Sequence, residues 1–321
     1  MDIFSEVRRA EQRIRDHIRE TPLEPSPYLD AVSESQVFLK LECHQITGSF
    51  KLRGAANKLL SLSEDKKQRG IVTASSGNHA AASAHLLRKL KIDGQIFLPE
   101  TASQAKVEAL RLMNAPLVFF GDDCVKAEME ARRIASTTGR AFVSPYNDPE
   151  IIAGQGSAAA EIVRQVDRVD VVIVPVGGGG LISGVGGFLK AYDSAIRVIG
   201  CQPENSRVMY ESLKAGKILD IPSEPTLSDG TAGGIEPDSI TFSICQQVVD
   251  EIVLVTEEEI RSAILLMLER HHLLIEGAAA TSVAAFLKTK GQYAGMDVAL
   301  VLTGAKISLD QLKSIISQEA L

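Results

Sequence analysis

The 321-residue chain has no tryptophan, and only 5% of its residues are aromatic. A stacking platform for single-stranded nucleic acid needs aromatic faces, so that class of function is disfavoured. The core must then be built from Val, Ile, Leu and Ala, a composition that suits a parallel sheet covered by helices. Excess positive charge is also missing: 34 Lys and Arg stand against 41 Asp and Glu, a formal net charge of −7. Phosphate-backbone affinity rests on clustered cations, so no nucleic acid is expected as a partner. Cys43, Cys124, Cys201 and Cys245 lie far apart without a CxxC pair, which fits neither a zinc spacing nor a dense disulfide framework. Reduced thiols in a cytoplasmic protein are the expectation. No stretch approaches the roughly 18 consecutive apolar residues of a membrane span, and no membrane is expected as a partner. The opening MDIFSEVRRAEQRIRDHIRE mixes both charge signs and has no apolar centre, so it does not read as a targeting segment. Fixed-period repeats and low-complexity tracts are absent too, which removes solenoids and propellers.

What remains is an ordinary globular composition, 45% hydrophobic and 23% charged, with short apolar runs alternating with segments of helical period. That alternation is the sign of βαβ units. The strand candidates are Phe38–Leu41, Ile71–Ala74, Gln95–Leu98, Leu117–Phe120, Ala141–Ser144, Val171–Val176, Val198–Cys201, Ile252–Val255 and Val298–Leu302. So many strands make a single small sheet improbable. Between them the period predicts helices at Ser49–Leu60, His79–Leu90, Ala105–Met113, Ala127–Thr137, Ser157–Gln165, Leu181–Tyr192, Glu257–Arg270 and Ala278–Thr289. The first twenty residues read as an amphipathic helix with Val7, Ile14 and Ile18 on one stripe. Asp220–Ser239 breaks the rhythm with Pro222, Pro225, Gly230, Gly233, Gly234 and Pro237, and a loop that long in an α/β protein is more often functional than idle.

Three segments carry chemistry. VVIVPVGGGGLIS, Val171–Ser183, runs a β-branched strand into four glycines and then a helix. Backbone N–H groups at Gly177, Gly178, Gly179 and Gly180 can turn inward together and form an anion cradle at the positive end of the helix dipole. Phosphate is the natural guest. Close packing of helix on strand is the bland alternative. GxGxxG fails because Gly177 and Gly179 lead to Ile182 and Gly178 and Gly180 to Ser183, and GxxxxGK[ST] fails because Gly216-Lys217 is followed by Ile218. TGSFKLRG, Thr47–Gly54, places Lys51 at a helix start between Phe50 and Leu52, where desolvation would lower its pKa as imine formation requires. A solvated surface amine is the competing reading. In TASSGNHAAASAH, Thr73–His85, the residues Ser75, Ser76 and Asn78 are either helix caps or carboxylate donors at a helix start.

The order SFKLRGA, SSGNHA, tetraglycine and a C-terminal LTGAK resembles the serine/threonine dehydratase family of pyridoxal-phosphate enzymes, the fold type II, tryptophan synthase beta-like group. Thr21-Pro22-Leu23, Lys40-Leu41-Glu42, Ile152-Ala153-Gly154-Gln155-Gly156 and Ser228-Asp229-Gly230-Thr231-Ala232 extend the likeness over nearly the whole chain. The resemblance implies an α/β fold of two open twisted sheets with helices on both faces. Residues 1–45 and 148–321 would form a large cofactor-binding domain, and 46–147 a smaller inserted substrate-side domain. It implies pyridoxal 5′-phosphate as cofactor, held by Lys51 as a Schiff base, with Lys51 later removing the substrate Cα proton. Phe50 would flank the ring, Asn78 would bond the 3′-oxygen, and Gly177–Gly180 with Leu181 would bind the phosphate. Ser75, Ser76, Gly77, Asn78 and His79 would take the substrate carboxylate, and Ser76 sits where racemising members donate a proton from the opposite face.

Thr303 matches the hydroxyl residue that meets the pyridine nitrogen, and a neutral partner there favours elimination over transamination. Glu276 resembles a position near the same ring. Two departures are visible. The family's Gly-Gly-Asn after the hydroxyl residue reads Gly304-Ala305-Lys306 here, and the places where some members carry metal-ligating acids fall at Gln202 and Val208. No metal is therefore expected, although Glu204 lies close by. The implied activity is an ammonia-lyase acting on L-threonine, L-serine or a related 3-hydroxy amino acid. Alternatives are a serine-type racemase, or a dehydratase for hydroxyaspartate, phenylserine or a hydroxylated diamino acid, favoured by the glycines of Leu227–Glu236. From another class, a nicotinamide dehydrogenase is disfavoured by the missing GxGxxG, and a silent sensor by the intact Lys51. A small-molecule amino-acid substrate and a homo-oligomer, dimer or tetramer, are the implied partners. The chain ends about where such a catalytic core should, so no appended regulatory domain is expected.

Overall fold

A computed structural model describes residues 1–317 and shows ten strands in two sheets, with helices against both faces of each. In chain order the strands are β1 (Leu23–Pro25), β2 (Gln36–Lys40), β3 (Ile71–Ala74), β4 (Gly94–Leu98), β5 (Leu117–Phe119), β6 (Ala141–Phe142), β7 (Val171–Pro175), β8 (Arg197–Pro203), β9 (Glu251–Val255) and β10 (Asp297–Val301). The larger sheet runs β1-β2-β10-β7-β8-β9, all parallel except the β1 edge. The smaller, β5-β4-β3-β6, is wholly parallel. Crossing helices force this: a parallel strand covered on both faces must be apolar along its whole length, as buried Val171–Pro175 is.

The predicted strands are all present to within about two residues at either end. β1 is the addition. It is three residues long, ends on Pro25 and pairs antiparallel at the edge, too short to leave a periodic signal. The N-terminal helix stops at Ile14, with Val7, Ala10 and Ile14 buried, so Ile18 lies beyond the helix rather than on its stripe. The helix expected at Ser157–Gln165 begins two turns earlier, at Pro149, capped by Asp148. Gly154 and Gly156 hide those turns from a propensity argument. They are needed for packing: a Cβ on Gly154 would fall 2.6 Å from the Gly54 Cα, and one on Gly156 would fall 2.8 Å from the Gly184 carbonyl. This close crossing seats the Lys51–Ser61 helix on the Pro149–Gln165 helix, where Gln155 Oε1 also accepts from the Gly54 N–H at 3.1 Å.

Two apolar layers sandwich the larger sheet. Helices Glu257–His271 and Gly277–Thr289 cover one face, and helices Ile3–Ile14, Pro149–Gln165 and Gly180–Tyr192 the other. Residues 218–239 contain no helix or strand, as the proline and glycine spacing predicts. No helix among the described residues is long and apolar enough to cross a membrane.

Candidate active site

The C-terminal ends of the parallel strands are where an open α/β sheet presents loops and helix starts together. Past β7 the chain turns through Gly177–Gly179, with Gly179 at φ +85°, and enters the Gly180–Tyr192 helix. Past β3 it turns through Ser75–Gly77 into the Asn78–Leu90 helix. Past β10, Thr303 and Gly304 run beside the segment that leads into Lys51, with Phe50 N–H donating to the Thr303 carbonyl (3.1 Å) and a bridge between Ser49 and Gly304. Lys51, Asn78, Gly180 and Gly277 each begin a helix without a side-chain cap, as Val208 and Ile240 also do, whereas Asp2, Ser63, Ser103, Asp123, Asp148 and Thr256 cap other helices. Uncapped first-turn N–H groups are donors held for something other than the helix itself.

Lys51 is partly buried. Its Nζ donates to the Pro145 carbonyl at 2.7 Å and lies 5.2 Å from the centroid of the Phe50 ring. Lost hydration pulls the ammonium down from 10.5 to about 8, against the opposing pull of the Glu276 carboxylate. A useful fraction of neutral amine then exists near neutrality, as a nucleophile or base requires.

Glu276 is buried, 4% exposed, immediately before the Gly277–Thr289 helix. Burial pushes its carboxyl up to about 7, against the lowering effect of its hydrogen bonds. Both carboxylate oxygens lie 2.9 Å from Asn78 Nδ2, and Oε2 also accepts from the Lys306 N–H at 3.1 Å. Gly304 makes this possible, because a Cβ there would sit 2.5 Å from Oε1. The altered Gly304-Ala305-Lys306 turn therefore keeps a backbone task, holding Glu276, while the Lys306 side chain stays exposed.

Several polar atoms around Lys51 are buried without a protein partner: Thr47 Oγ1, Ser49 Oγ, Asn78 Oδ1 and Thr303 Oγ1. Unsatisfied buried groups are uncommon, and four of them here mark the place of a polar guest. The donor set fits pyridoxal phosphate: an amine for the aldehyde, uncapped N–H groups at Gly177–Leu181 for the phosphate, and the Thr303 hydroxyl for the ring nitrogen. Gly178 has a second reason to be glycine, since a Cβ there would strike the Tyr146 ring at 2.6 Å. Tyr146, which the pattern reading missed, packs over the turn while its hydroxyl accepts from the Glu236 N–H at 2.8 Å. Its only sequence signal was an aromatic residue at a strand end in a chain poor in them.

Ser75–Asn78 are half-buried at the start of their helix, with Gly77 and not Ser75, Ser76 or Asn78 in the cap position. Ser75 Oγ accepts from the Gly77 N–H at 3.2 Å and shapes the turn. His79 is different. Its ring points inward, with Nε2 3.0 Å from Thr73 Oγ1 and 3.3 Å from the Val143 carbonyl, and burial pulls its pKa down to about 3. It is a neutral core residue whose backbone alone belongs to the turn. Gln202 is buried as well, and its Oε1 accepts from the Tyr210 N–H at 2.8 Å.

The 218–239 loop reaches from the larger sheet's side to elements of the smaller one. Asp229 pairs with Lys106 (2.8 Å), and Glu236 pairs with Arg132 (2.9 Å) and accepts from Asn147 Nδ2 (2.8 Å). Thr231 lies against Gly177, where a Cβ would come within 3.1 Å of it.

A family model described as "Pyridoxal-phosphate dependent enzyme" matches residues 14–304. The chain is 40% identical over 318 residues to an L-threonine ammonia-lyase from Thermotoga maritima, covering 99% of this chain and 79% of that protein. Its structure is similar to that of the processed form of threonine deaminase isoform 2 from Solanum lycopersicum, with TM-score 0.94, 30% identity, and 99% and 94% of the two chains covered. Maize serine racemase is similar at TM-score 0.92 and 30% identity, covering 99% and 97%.

Proposed function

The chain belongs to the pyridoxal-phosphate dependent enzymes, and on that premise we propose that it is an ammonia-lyase. It converts a 3-hydroxy amino acid such as L-threonine or L-serine to a 2-oxo acid and ammonia by α,β-elimination. The observation that carries this reading is the pairing of Lys51, whose amine is partly neutral near pH 7, with a buried, uncharged Thr303 hydroxyl on the segment whose backbone bonds to that of Phe50. When bound, pyridoxal phosphate supplies the electron sink for negative charge at the substrate Cα. The protein's part is proton handling and placement. Lys51 Nζ takes the Cα proton. Thr303 Oγ1 would be the partner of the ring nitrogen, and as a neutral hydroxyl it would not hold that nitrogen protonated, which favours loss of the β-hydroxyl over slower fates. Backbone N–H groups of Gly177–Leu181 hold the phosphate, and those of the Ser75–His79 turn hold the substrate carboxylate. Tyr146 and the 218–239 loop cover the phosphate side and exclude water.

The smaller sheet draws all its strands from residues 71–142, which supports an inserted substrate-side domain spanning 46–147. Unpaired Cys43, Cys201 and Cys245, all buried, support a reducing, cytoplasmic setting. The test is to incubate the purified, cofactor-loaded protein with L-threonine, L-serine and other 3-hydroxy amino acids and to measure ammonia, 2-oxo acid and chirality together. Release of both products from at least one of them is expected. Inversion at Cα with no oxo acid would overturn the lyase reading in favour of a racemase using Ser76.

A further inference from the structure

We propose that Glu276 is a positioning residue that takes up a proton when pyridoxal phosphate binds and thereby turns the Asn78 amide, freeing its NH2 group for the cofactor. The inference rests on family membership and not on which amino acid is the substrate.

The Asn78 NH2 group faces Glu276, 2.9 Å from each carboxylate oxygen, and Asn78 Oδ1 is buried with no protein partner. That arrangement wastes an acceptor. It suits the Glu276 anion best, because a carboxylate accepts on both oxygens, whereas the neutral acid keeps one acceptor and gains an O–H that needs a partner. Once protonated, Glu276 has one O–H to give, and the orphaned Asn78 Oδ1 is the acceptor within reach after a half-turn of the amide. The turn moves the NH2 group off the carboxyl and offers its donors to an anionic oxygen of the guest. Proton balance is simple: one proton leaves solvent and joins a carboxylate oxygen, and no other bond is made or broken.

The surroundings favour this. Among the described residues the hydrogen bonds to the Glu276 carboxylate come from amide N–H groups, of Asn78 and Lys306, while cationic charge acts on it only through space. The charged and titratable groups around it are Lys51 on the adjoining helix, Lys306 on the turn after β10, Asp229 on the long loop and Cys43 after β2. Lys306 is the cation that favours the Glu276 anion, and Lys51, whose ammonium the Glu276 carboxylate favours, is the group the cofactor engages. A ligand bearing phosphate and oxyanion charge raises the energy of a nearby carboxylate further. Burial already holds Glu276 near neutrality, so little extra is needed.

The experiment compares wild type with Glu276→Gln, whose side-chain amide imitates the protonated acid. Apparent affinity for pyridoxal phosphate is measured from about pH 6 to about pH 9 by the imine absorbance. Proton uptake predicts that wild-type affinity falls more steeply above neutrality, by about tenfold per pH unit beyond the slope shared with the variant. At the alkaline end Glu276→Gln should bind the cofactor about tenfold or more tighter than wild type. Parallel slopes, or a variant that binds more weakly throughout, would overturn the proposal. Infrared difference spectra of wild type alone provide the second arm and remain decisive if the variant does not fold. A protonated-carboxyl band should grow in on loading, and its absence refutes the uptake. Neither readout uses turnover, so failure to release a 2-oxo acid would count against the lyase reading and leave this one standing.

Discussion

The Lys51–Ser61 helix has two charged neighbourhoods, and they are built on opposite rules. Behind it, Arg53 is fully buried between Glu42 and Glu161, with five hydrogen bonds of 2.6–3.1 Å to those carboxylates and Ser157. Lys40 completes the set by donating to Glu161, Gln165 and the Thr21 carbonyl. Two cations balance two carboxylates and the donors are met, so the group behaves as a rigid clamp joining this helix to β2 and to the Pro149–Gln165 helix. In front, two residues away, Lys51 has one carbonyl, Glu276 has only amide partners, and four neighbouring polar atoms have none. Compensation holds the frame still. Deliberate under-compensation leaves groups whose protonation a ligand can change.

The contrast breaks most visibly at Lys51. Replacing it with Ala should lower 2-oxo acid release on the order of a thousandfold or more, yet the melting temperature should stay within a few degrees, because that amine is poorly solvated and weakly held. The clamp should do the reverse. Arg53→Met leaves Glu42 without its cation and Glu161 with Lys40 alone, and should destabilise the fold by about 3–5 kcal/mol in denaturant unfolding.

Glu276 sharpens the comparison through pH. Its carboxyl titrates near 7 in the fold and at 4.5 ordinarily, so between those values the folded state holds a proton the unfolded chain has already released. Stability then falls as pH rises through that window. Cofactor-free Glu276→Gln should therefore be more stable than wild type by up to about 3 kcal/mol at about pH 8, with the gain vanishing by about pH 4. A gain that does not depend on pH would mean the carboxylate is compensated after all. Smallest is the loop contact: Lys106 and Asp229 are each about half exposed. Asp229→Asn should shift unfolding by no more than about 1 kcal/mol, and that shift should disappear in high salt.

Much of this was legible locally. The nine parallel-paired strands announce themselves because a doubly covered parallel strand is apolar throughout, and the tetraglycine turn and the irregular 218–239 loop because of their glycines and prolines. The site motifs were readable as motifs: Lys51, Asn78, Gly177–Gly180 and Thr303 all meet at the strand ends. Gly154 and Gly156 misled, since helix propensity counts against glycine while the close crossing at Gly54 and Gly184 demands it. The inward turn of the His79 ring was not legible, for nothing in its neighbours says which way a ring on a helix start will turn.

What the sequence determined by itself was periodicity, turn chemistry and the order of the motifs, all properties of residues near one another along the chain. Only the tertiary structure decided which charges would be answered. Glu42 and Glu276 are both buried glutamates, but the Lys51–Ser61 helix brings the Arg53 guanidinium into direct contact with one, whereas Asn78 and the Lys306 backbone, 198 and 30 residues away, bring amide dipoles to the other. Solvation and counter-charge are set by neighbours in space, and those two quantities separate a structural carboxylate from one poised to change its proton.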